Sequence, residues 1–208
     1  MVTRPLRAVL YDLDGVLIES RATWYQVILD AARHYGRPPI ERDHFYGTFG
    51  QGIRRDVEQF FPMATEGELT RLYHERMLAR AHEVDFIEHA LETLEAVGSL
   101  GVAQAIVTNT PVDLAREILG RTGIRSRVDA FAAAGEAPEK PAPDLVRLAL
   151  ARLGARAAEA IYVGDSPTDV AAARAAAIEM VGYRIDADLR IEGLPELAEF
   201  VRRRLESR

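Results

Sequence analysis

The chain contains short apolar runs that alternate with helical patterns, and this alternation constrains its fold more than any other feature. Five runs have the length and composition of buried strands: residues 8–11, 101–109, 128–134, 160–165 and 178–183. Such runs are typical of parallel strands that are covered on both faces. Segments with apolar residues at helical spacing, such as 112–119 and 145–153, lie between them. Strands that alternate with helices predict an α/β fold with a doubly wound, Rossmann-like parallel sheet.

The alternation is interrupted between residues 19 and 84, where no strand pattern occurs. Apolar residues recur at helical spacing in residues 24–35 and 69–77, and a glycine-rich turn leading into a short helix separates the two. Apolar stripes at this spacing are packing surfaces far more often than cofactor sites. We therefore expect an all-helical domain over residues 19–84, inserted into an α/β core formed by residues 1–18 and 85–208.

The composition excludes several classes of protein. The chain of 208 residues has no cysteine, which rules out disulfides, thiolate zinc sites and cysteine nucleophiles. Its formal net charge of −6 argues against nucleic-acid binding, and no stretch approaches the roughly 20 apolar residues of a membrane span. The five histidines show no H-E-x-x-H pattern and no clustering, so we expect no histidine zinc site. The opening residues lack a secretory-signal pattern, and we expect a cytoplasmic location.

Two residue types occur only once in the chain. Lys140 is the only lysine among 26 basic residues, and Asn109 is the only asparagine. A GC-rich genome depletes both types, so their retention at these positions suggests a function there, with chance survival as the alternative. Lys140 precedes a predicted helix in a stiff, proline-containing segment, where a compact cation could balance carboxylates and a phosphoryl group.

Pairs of carboxylates follow two of the predicted strands. Asp12 and Asp14 come after the first strand, and Asp165 and Asp169 come after a later one. Alternate residues of a strand point the same way, so Asp12 and Asp14 need a cation or a shared proton. If the two strands are neighbours, all four carboxylates meet at one edge of the sheet, and we predict an Mg²⁺ site there. Capping of the following helix by Asp165 or Ser166 is compatible with this role.

A third polar turn follows the strand that ends near residue 109. Thr108, Asn109 and Thr110 precede Pro111, which opens a predicted helix. Backbone N–H groups and a hydroxyl at a strand-to-helix turn can bind a phosphate. Capping of the helix by Thr110 is the structural alternative.

Four segments in this order resemble the signature motifs of the haloacid dehalogenase-like hydrolase superfamily: YDLDGVLIES, VTNT, KPAPD and GDSPTDV. The resemblance spans nearly the whole chain and is strongest to the phosphoglycolate phosphatase and β-phosphoglucomutase branch, with residues 19–84 similar to its small helical cap domain. It implies an Mg²⁺-dependent phosphatase that hydrolyses a small phosphomonoester, such as phosphoglycolate or a sugar phosphate, through an aspartyl-phosphate. The chain departs from the usual motif at Val16 and Glu19, where many members carry threonine and aspartate.

The resemblance also implies roles for residues of the first two motifs. Asp12 would be the nucleophile, and Asp14 would protonate the leaving oxygen and then activate water. Thr108 and the backbone of Asn109 would hold phosphoryl oxygens.

The residues of the last two motifs would hold the charged groups of the reaction: the Asp12 carboxylate, the phosphoryl group and the metal ion. Lys140 would steady Asp12 and the transferring group. Asp165 would bind Mg²⁺ together with Asp12 and the backbone carbonyl of Asp14. Asp169 would act on the metal through water or orient Lys140.

A sugar-phosphate mutase of the β-phosphoglucomutase type remains an alternative, since it differs only in returning the phosphoryl group to its product. Haloacid dehalogenases lack the second aspartate of the first motif, so Asp14 argues against that activity. A phosphonoacetaldehyde hydrolase needs a lysine that residues 19–84 do not contain. A receiver-type signalling domain uses similar residues, but its phospho-acceptor follows a strand in the middle of its sequence. Here Asp12 and Asp14 follow the first strand of the chain.

We expect the helical residues 19–84 to select the substrate. Arg54 or Arg55 could bind a carboxylate or a second phosphate; the alternative is that both are solvated helix arginines. Lesser candidates are His44, Phe49 and Gln51. The expected partner is a small phosphorylated molecule, with no nucleic acid and no membrane, and we expect a monomer or a weak homodimer.

Overall fold

A six-stranded parallel sheet lies at the centre of the protein in the computed structural model, which describes residues 5–207. The strands of this part of the chain are β1 (Ala8–Tyr11), β2 (Ile18–Glu19), β3 (Asp85–Phe86), β4 (Ala103–Pro111), β5 (Ala130–Ala134), β6 (Ala160–Gly164), β7 (Glu179–Tyr183) and β8 (Leu189–Ile191). The sheet has the order β5-β4-β1-β6-β7-β8, and β2 pairs with β3 in a separate antiparallel ladder.

Helices cover both faces of the sheet. They are α1 (Arg21–His34), α2 (Arg42–Thr48), α3 (Ile53–Gln59), α4 (Glu66–Ala79), α5 (Ala90–Ser99), α6 (Val112–Arg121), α7 (Asp144–Leu153), α8 (Pro167–Ala176) and α9 (Leu194–Glu206). Helices α5, α6 and α9 pack on the face that contains Val9 and Tyr11, and α7 and α8 pack on the opposite face with Ala8 and Leu10. The alternation of β1 residues between two cores confirms the predicted doubly wound α/β fold.

Strand β1 lies between β4 and β6 in the middle of the sheet. Tyr11 pairs with Ile106 of β4 and Val163 of β6, so β1 and β6 end side by side, next to β4, which continues to Pro111. The five predicted strands are all present, with small shifts at their ends. Strands β2, β3 and β8 are too short to show a periodic pattern, and the sequence does not predict them.

The helical segment (residues 19–84) contains α1 to α4. Ile18 pairs with Phe86 in the β2–β3 ladder, so the two connections to the sheet run side by side. The rings of Trp24 and Tyr73 meet edge to face between α1 and α4, with centroids 5.7 Å apart. The stretch predicted as a glycine-rich turn and one short helix also contains the end of α2, so its first residues are helical.

The basic residues near the end of the chain belong to α9, which ends at Glu206. Residues 1–4 and 208 of the predicted core lie outside the described residues. Within residues 5–207, no helix combines the length and the apolar character that crossing a membrane requires.

Candidate active site

The carboxyl ends of β1, β4 and β6 face the helical segment across a cleft of about 260 Å³. The sheet side of the cleft is lined by residues from all four motifs, which include Asp12, Asp14, Thr108, Asn109, Lys140 and Asp165. The helical segment contributes mainly aromatic and polar residues, which include Trp24, Phe45, Tyr46, Phe49, Gln51, Asp56 and Tyr73. Distant parts of the chain therefore meet at the sheet edge where doubly wound folds bind their ligands.

Three carboxylates at this edge lie close enough to bind one metal ion. Oxygens of Asp12, Asp165 and Asp169 all lie within 4.8 Å of one another. Asp12 and Asp169 are buried, whereas Asp165 is partly exposed. Hard carboxylate oxygens of this kind suit Mg²⁺, so the donor set fits the predicted cation. The carboxylate of Asp14 is not part of this three-residue group.

The ammonium group of Lys140 lies among these carboxylates. Its Nζ donates to Asp12 Oδ1 at 2.8 Å and to Asp169 Oδ1 at 2.7 Å. The Tyr162 hydroxyl and the Val107 carbonyl lie 3.1 and 3.3 Å from the same nitrogen. An ammonium has three N–H donors, so these four oxygens saturate it. The only lysine of the chain is therefore a buried part of the site and not a surface residue.

Burial and charge act in opposite directions on the pKa values of these groups. Burial raises the pKa of Asp12 well above its usual value, and the charge of Asp169 adds to this effect. Burial alone would lower the pKa of Lys140, but the charges of Asp12 and Asp169 outweigh it, so the pKa is raised and Lys140 stays protonated. Burial likewise opposes the ionisation of Asp169, yet Lys140 holds its pKa below the usual value. The pKa of Asp165 rises to about 6 because of burial and the nearby Asp169.

The carboxylate of Asp14 is oriented by several donors. Thr110 Oγ1 donates to Asp14 Oδ2 at 2.8 Å, and Thr108 Oγ1 lies 3.4 Å from the same oxygen. Ser20 Oγ and Trp24 Nε1 donate to Asp14 Oδ1, the latter at 3.3 Å. These contacts hold the Asp14 carboxylate at the cleft, whereas Lys140 donates to the carboxylates of Asp12 and Asp169.

The end of β4, where the sequence predicts a strand-to-helix turn, borders the cleft. The pairing of β4 with β5 is irregular between Thr108 and Pro111, and there Thr108 Oγ1 accepts a hydrogen bond from the backbone N–H of Thr110 at 3.0 Å. The N-cap residue of α6 is Pro111, without a side-chain capping bond, so the alternative role of Thr110 as a helix cap is wrong. The Thr110 hydroxyl donates a hydrogen bond to Asp14 instead. Thr108 and Asn109 both line the cleft.

Asp169, in the first turn of α8, belongs to the site through its contact with Lys140. It forms a capping box with Ser166 at the start of α8, in which Ser166 N donates to Asp169 Oδ2 at 3.1 Å. The other oxygen, Oδ1, accepts from Lys140 and from Tyr162. Asp169 is fully buried and is not among the described residues that line the cleft. The cap therefore uses one carboxylate oxygen and leaves the other for Lys140.

Gly15 allows the first motif to pack against the fourth. Its φ is +89°, and a Cβ at this position would lie 2.2 Å from Asp165 Oδ2. A left-handed backbone and the lack of space both require glycine here. The glycine that follows Asp14 thus brings the first loop against Asp165.

Among the site residues that the sequence does not predict are Arg21 and Tyr162. Arg21, at the start of α1, forms an ion pair with Asp165, and its guanidinium lies 5.7 Å from the centre of the Phe49 ring. Tyr162 is in an apolar strand pattern, but its hydroxyl donates to Asp169 Oδ1 at 2.6 Å. The position of Arg21 just after the first motif is the only hint that the sequence offers.

The structure corrects the expectation that Arg54 or Arg55 reaches the cleft. Both side chains are exposed, and neither is among the described residues that line the cleft. Arg54 instead pairs with Glu58 one helical turn away, at 3.1 Å. His44 is also absent from the lining, whereas the other lesser candidates, Phe49 and Gln51, belong to it.

Comparisons with known proteins agree with this site. A family model described as haloacid dehalogenase-like hydrolase matches residues 9–183. The phosphoglycolate phosphatase of Xanthomonas campestris pv. campestris (strain 8004) is 31% identical over 93% of this chain and 95% of its own length. The N-acetylmuramic acid 6-phosphate phosphatase of Pseudomonas aeruginosa is 25% identical over 86% of this chain and 82% of its own length.

Solved structures share the fold. CbbY from Rhodobacter sphaeroides in complex with phosphate superposes with a TM-score of 0.82 at 22% identity, over 92% of this chain and 96% of its own. A haloacid dehalogenase superfamily hydrolase from Geobacter sulfurreducens gives a TM-score of 0.73 at 25% identity, over 94% and 99% of the two chains. The chain therefore belongs to the haloacid dehalogenase-like hydrolase family and is a phosphatase of that family.

Proposed function

We propose that this chain hydrolyses a small phosphomonoester, phosphoglycolate-like or sugar-phosphate-like, in an Mg²⁺-dependent reaction through an aspartyl-phosphate on Asp12. The observation that carries the proposal is the 2.8 Å contact of Lys140 Nζ with Asp12 Oδ1, beside the carboxylates of Asp165 and Asp169. A fixed cation beside a carboxylate at the floor of a cleft favours the approach of an anionic phosphate. The names of the related phosphatases support this class of substrate.

The charge balance of the site supports a divalent cation. Three carboxylates lie at the sheet edge, those of Asp12, Asp165 and Asp169, against two cations, those of Lys140 and Arg21. Asp14 is a fourth carboxyl group beside them, and it is protonated before the first step. A phosphate group would add further negative charge to this surplus. Mg²⁺ held by Asp12, Asp165 and the backbone carbonyl of Asp14 would supply the charge that neutralises the phosphoryl oxygens.

In the first step, Asp12 attacks the phosphorus atom. Its Oδ1 accepts hydrogen bonds from Lys140 Nζ and from the backbone N–H of Leu13, both at 2.8 Å. Within the described residues, Oδ2 has no hydrogen-bond donor, so it is the oxygen free to form the new P–O bond. The ester P–O bond breaks, and the leaving oxygen takes a proton from Asp14. Thr108 and the backbone of Asn109 hold the phosphoryl oxygens during this step.

In the second step, water hydrolyses the aspartyl-phosphate. Asp14, now ionised, accepts a proton from the water, and the water oxygen bonds to phosphorus while the bond from phosphorus to Asp12 breaks. Inorganic phosphate and the free Asp12 carboxylate result. The hydroxyls of Ser20 and Thr110 hold Asp14 in one orientation for both proton transfers.

We also propose that the helical segment acts as a cap domain over the α/β core. It closes one side of the cleft, and Asn109 Nδ2 donates to the carbonyl of Gly50 in this segment at 3.0 Å. A cap of this kind excludes bulk water during phosphoryl transfer and admits substrate when it opens.

A phosphate-release assay over small phosphomonoesters, with and without Mg²⁺, tests the proposed function. We expect turnover that requires Mg²⁺ and that disappears in Asp12→Asn, together with free phosphate and not a phosphorylated isomer as product. Asp113→Asn is the matched control, because Asp113 is exposed, pairs with Arg116 and is not among the described residues that line the cleft. Turnover retained by Asp12→Asn, or a phosphorylated product alone, would overturn the proposal.

A further inference from the structure

Asp56 is an acidic residue on the helical-segment side of the cleft. It lies in α3 and is partly buried, and it lines the same cleft as Asp12. Gln51 Nε2 donates to its Oδ1 at 2.8 Å, and the Tyr73 hydroxyl donates to its Oδ2 at 3.1 Å. An ionised carboxylate accepts up to about four hydrogen bonds, so Asp56 has further capacity for a donor in the cleft.

No basic residue in the described part of the chain forms an ion pair with Asp56. Burial raises the pKa of Asp56, and the hydrogen bonds from Gln51 and Tyr73 lower it. The effect of burial is the larger, so the pKa rises to about 6. Lys140 and Arg21, the basic residues that line the cleft, are already paired with Asp12 and Asp165. The carboxylate of Asp56 is therefore a negative charge without an ion-pair partner among residues 5–207.

The surroundings of Asp56 increase this negative character. The neighbouring Glu139 packs against Gly52, where an added Cβ would lie 2.0 Å from Glu139 Oε2. Burial raises the pKa of Glu139, and the charges of Glu66 and Asp56 raise it further. Apolar and aromatic side chains form much of the remaining wall, among them Trp24, Ile28, Phe45 and Phe49. The helical-segment side of the cleft thus combines apolar side chains with an acidic acceptor.

We propose that Asp56 is a specificity-determining residue. It accepts a hydrogen bond from a hydroxyl or ammonium group on the alcohol part of the phosphomonoester, which is released when the phosphoryl group is transferred. The same carboxylate repels a leaving group that itself carries a carboxylate, such as glycolate. This inference rests on the proposed phosphatase activity and narrows its substrates to hydroxyl- or amino-bearing phosphomonoesters.

The physical basis is the difference between two kinds of contact in a site that is partly shielded from water. A hydroxyl or ammonium donor completes the hydrogen bonding of Asp56 and offsets the desolvation of its charge. A substrate carboxylate places a like charge near Asp56, and no free cation of the described lining compensates it. The cleft therefore distinguishes substrates by whether the group distant from phosphorus is a hydrogen-bond donor or a carboxylate.

The test compares phosphomonoesters of matched size in the Mg²⁺-loaded enzyme. The two-carbon set is 2-hydroxyethyl phosphate, phosphoethanolamine and phosphoglycolate, and the six-carbon set is sorbitol 6-phosphate and 6-phosphogluconate. We expect kcat/KM to be about tenfold or more higher for the hydroxyl or ammonium member than for the carboxylate member, the size of one charge-assisted hydrogen bond. The relative rates of 2-hydroxyethyl phosphate and phosphoethanolamine show which donor Asp56 prefers.

Asp56→Asn tests whether this residue is the cause. Asparagine keeps the size and one acceptor but removes the charge, so we expect the ratio of kcat/KM values between donor-bearing and carboxylate-bearing substrates to fall about tenfold. Glu58→Gln is the matched control: it removes the same charge from α3 at an exposed position that pairs with Arg54. Its substrate ratio should equal that of the unchanged protein.

Different outcomes would overturn the proposed phosphatase activity and the proposed role of Asp56. If no phosphomonoester of the panel releases phosphate, the proposed function itself is wrong. If phosphate is released but phosphoglycolate or 6-phosphogluconate is the preferred member of its set, the phosphatase activity stands and the role of Asp56 is overturned. A substrate ratio that is the same in Asp56→Asn and in Glu58→Gln would likewise overturn it.

Discussion

The only lysine of this chain, Lys140, is hydrogen-bonded to its only asparagine, Asn109. Asn109 Oδ1 accepts from the backbone N–H of Lys140 at 2.8 Å, and Nδ2 donates to the Lys140 carbonyl at 2.9 Å. The same Nδ2 also donates to the carbonyl of Gly50 in the helical segment. Because an amide offers both a donor and an acceptor, one side chain holds the backbone of Lys140 and a loop across the cleft.

Asn109→Asp should therefore impair both stability and activity. The substitution keeps the acceptor for Lys140 N but sets a carboxylate oxygen against two backbone carbonyls. We expect a loss of about 1–3 kcal/mol in the free energy of unfolding, measured in urea, and a lower kcat/KM in the phosphate-release assay. Gln26→Glu, at an exposed position of α1, makes the same chemical change and should alter neither quantity. An Asn109→Asp protein that behaves like this control would show that these hydrogen bonds contribute nothing.

Lys140→Arg should be severely damaging although it preserves the charge. The planar guanidinium is larger than the ammonium and does not fit among Asp12, Asp169 and Tyr162, where Nζ has contacts of 2.7–3.1 Å. We expect kcat/KM to fall roughly a hundredfold or more, because Asp12 is displaced. Lys140→Met leaves two buried carboxylates without a cation and should cost about 3–5 kcal/mol of stability. Near-normal turnover by Lys140→Arg would contradict the need for a compact cation.

Tyr162→Phe should reduce turnover through Asp169. It removes a donor that lies 2.6 Å from Asp169 Oδ1 and 3.1 Å from Lys140 Nζ. We expect about a tenfold loss of kcat, with a loss of stability of about 1–3 kcal/mol. Tyr11→Phe is the control, because Tyr11 is equally buried and its hydroxyl donates to Gln104 at 2.7 Å, away from the site. Equal kinetic effects of both variants would mean that Tyr162 only supports the core.

Mg²⁺ should stabilise the folded protein in a concentration-dependent way. The close carboxylates of Asp12, Asp165 and Asp169 bind the cation only when folding brings them together, so binding shifts unfolding by mass action. We expect the melting temperature to rise with Mg²⁺ concentration and to fall again on chelation, with parallel loss of turnover. Asp165→Asn should reduce this shift. A melting temperature that is independent of Mg²⁺ would argue against a cation at this cluster.

Asp56→Asn should stabilise the protein at neutral pH. Burial raises the folded-state pKa of Asp56 to about 6, above its unfolded value, so the native state gains stability from protonation as the pH falls from about 7 to about 4. At pH 8 the charged carboxylate is destabilising by up to about 3 kcal/mol, which asparagine avoids. Urea unfolding at pH 8 and at pH 4.5 should therefore show a difference between the two proteins that shrinks at the lower pH. A destabilised Asp56→Asn protein at pH 8 would indicate that Tyr73 and Gln51 need the charge.

The sequence predicts much of the fold because its signals are local. The apolar run at residues 8–11 coincides with β1, and its flanking carboxylates and Gly15 lie where the strand ends. The helical period between residues 19 and 84 is also local, so it predicts α1 and α4 well. Strand pairs as short as β2 and β3 have no period of their own, and they form only because the two ends of the helical segment meet.

The sequence by itself determined the fold class, the family and the identity of the motif residues, because strand and helix periods and short motifs depend on neighbours in the chain. Only the tertiary structure decided which side chains share the cleft. It joined Lys140 to Asp12 across 128 residues of sequence, placed Asp56 on the cleft and left Arg54 and Arg55 outside it. The rotation of a short helix such as α3 is set by the residues it packs against, and a single sequence does not contain that information in local form.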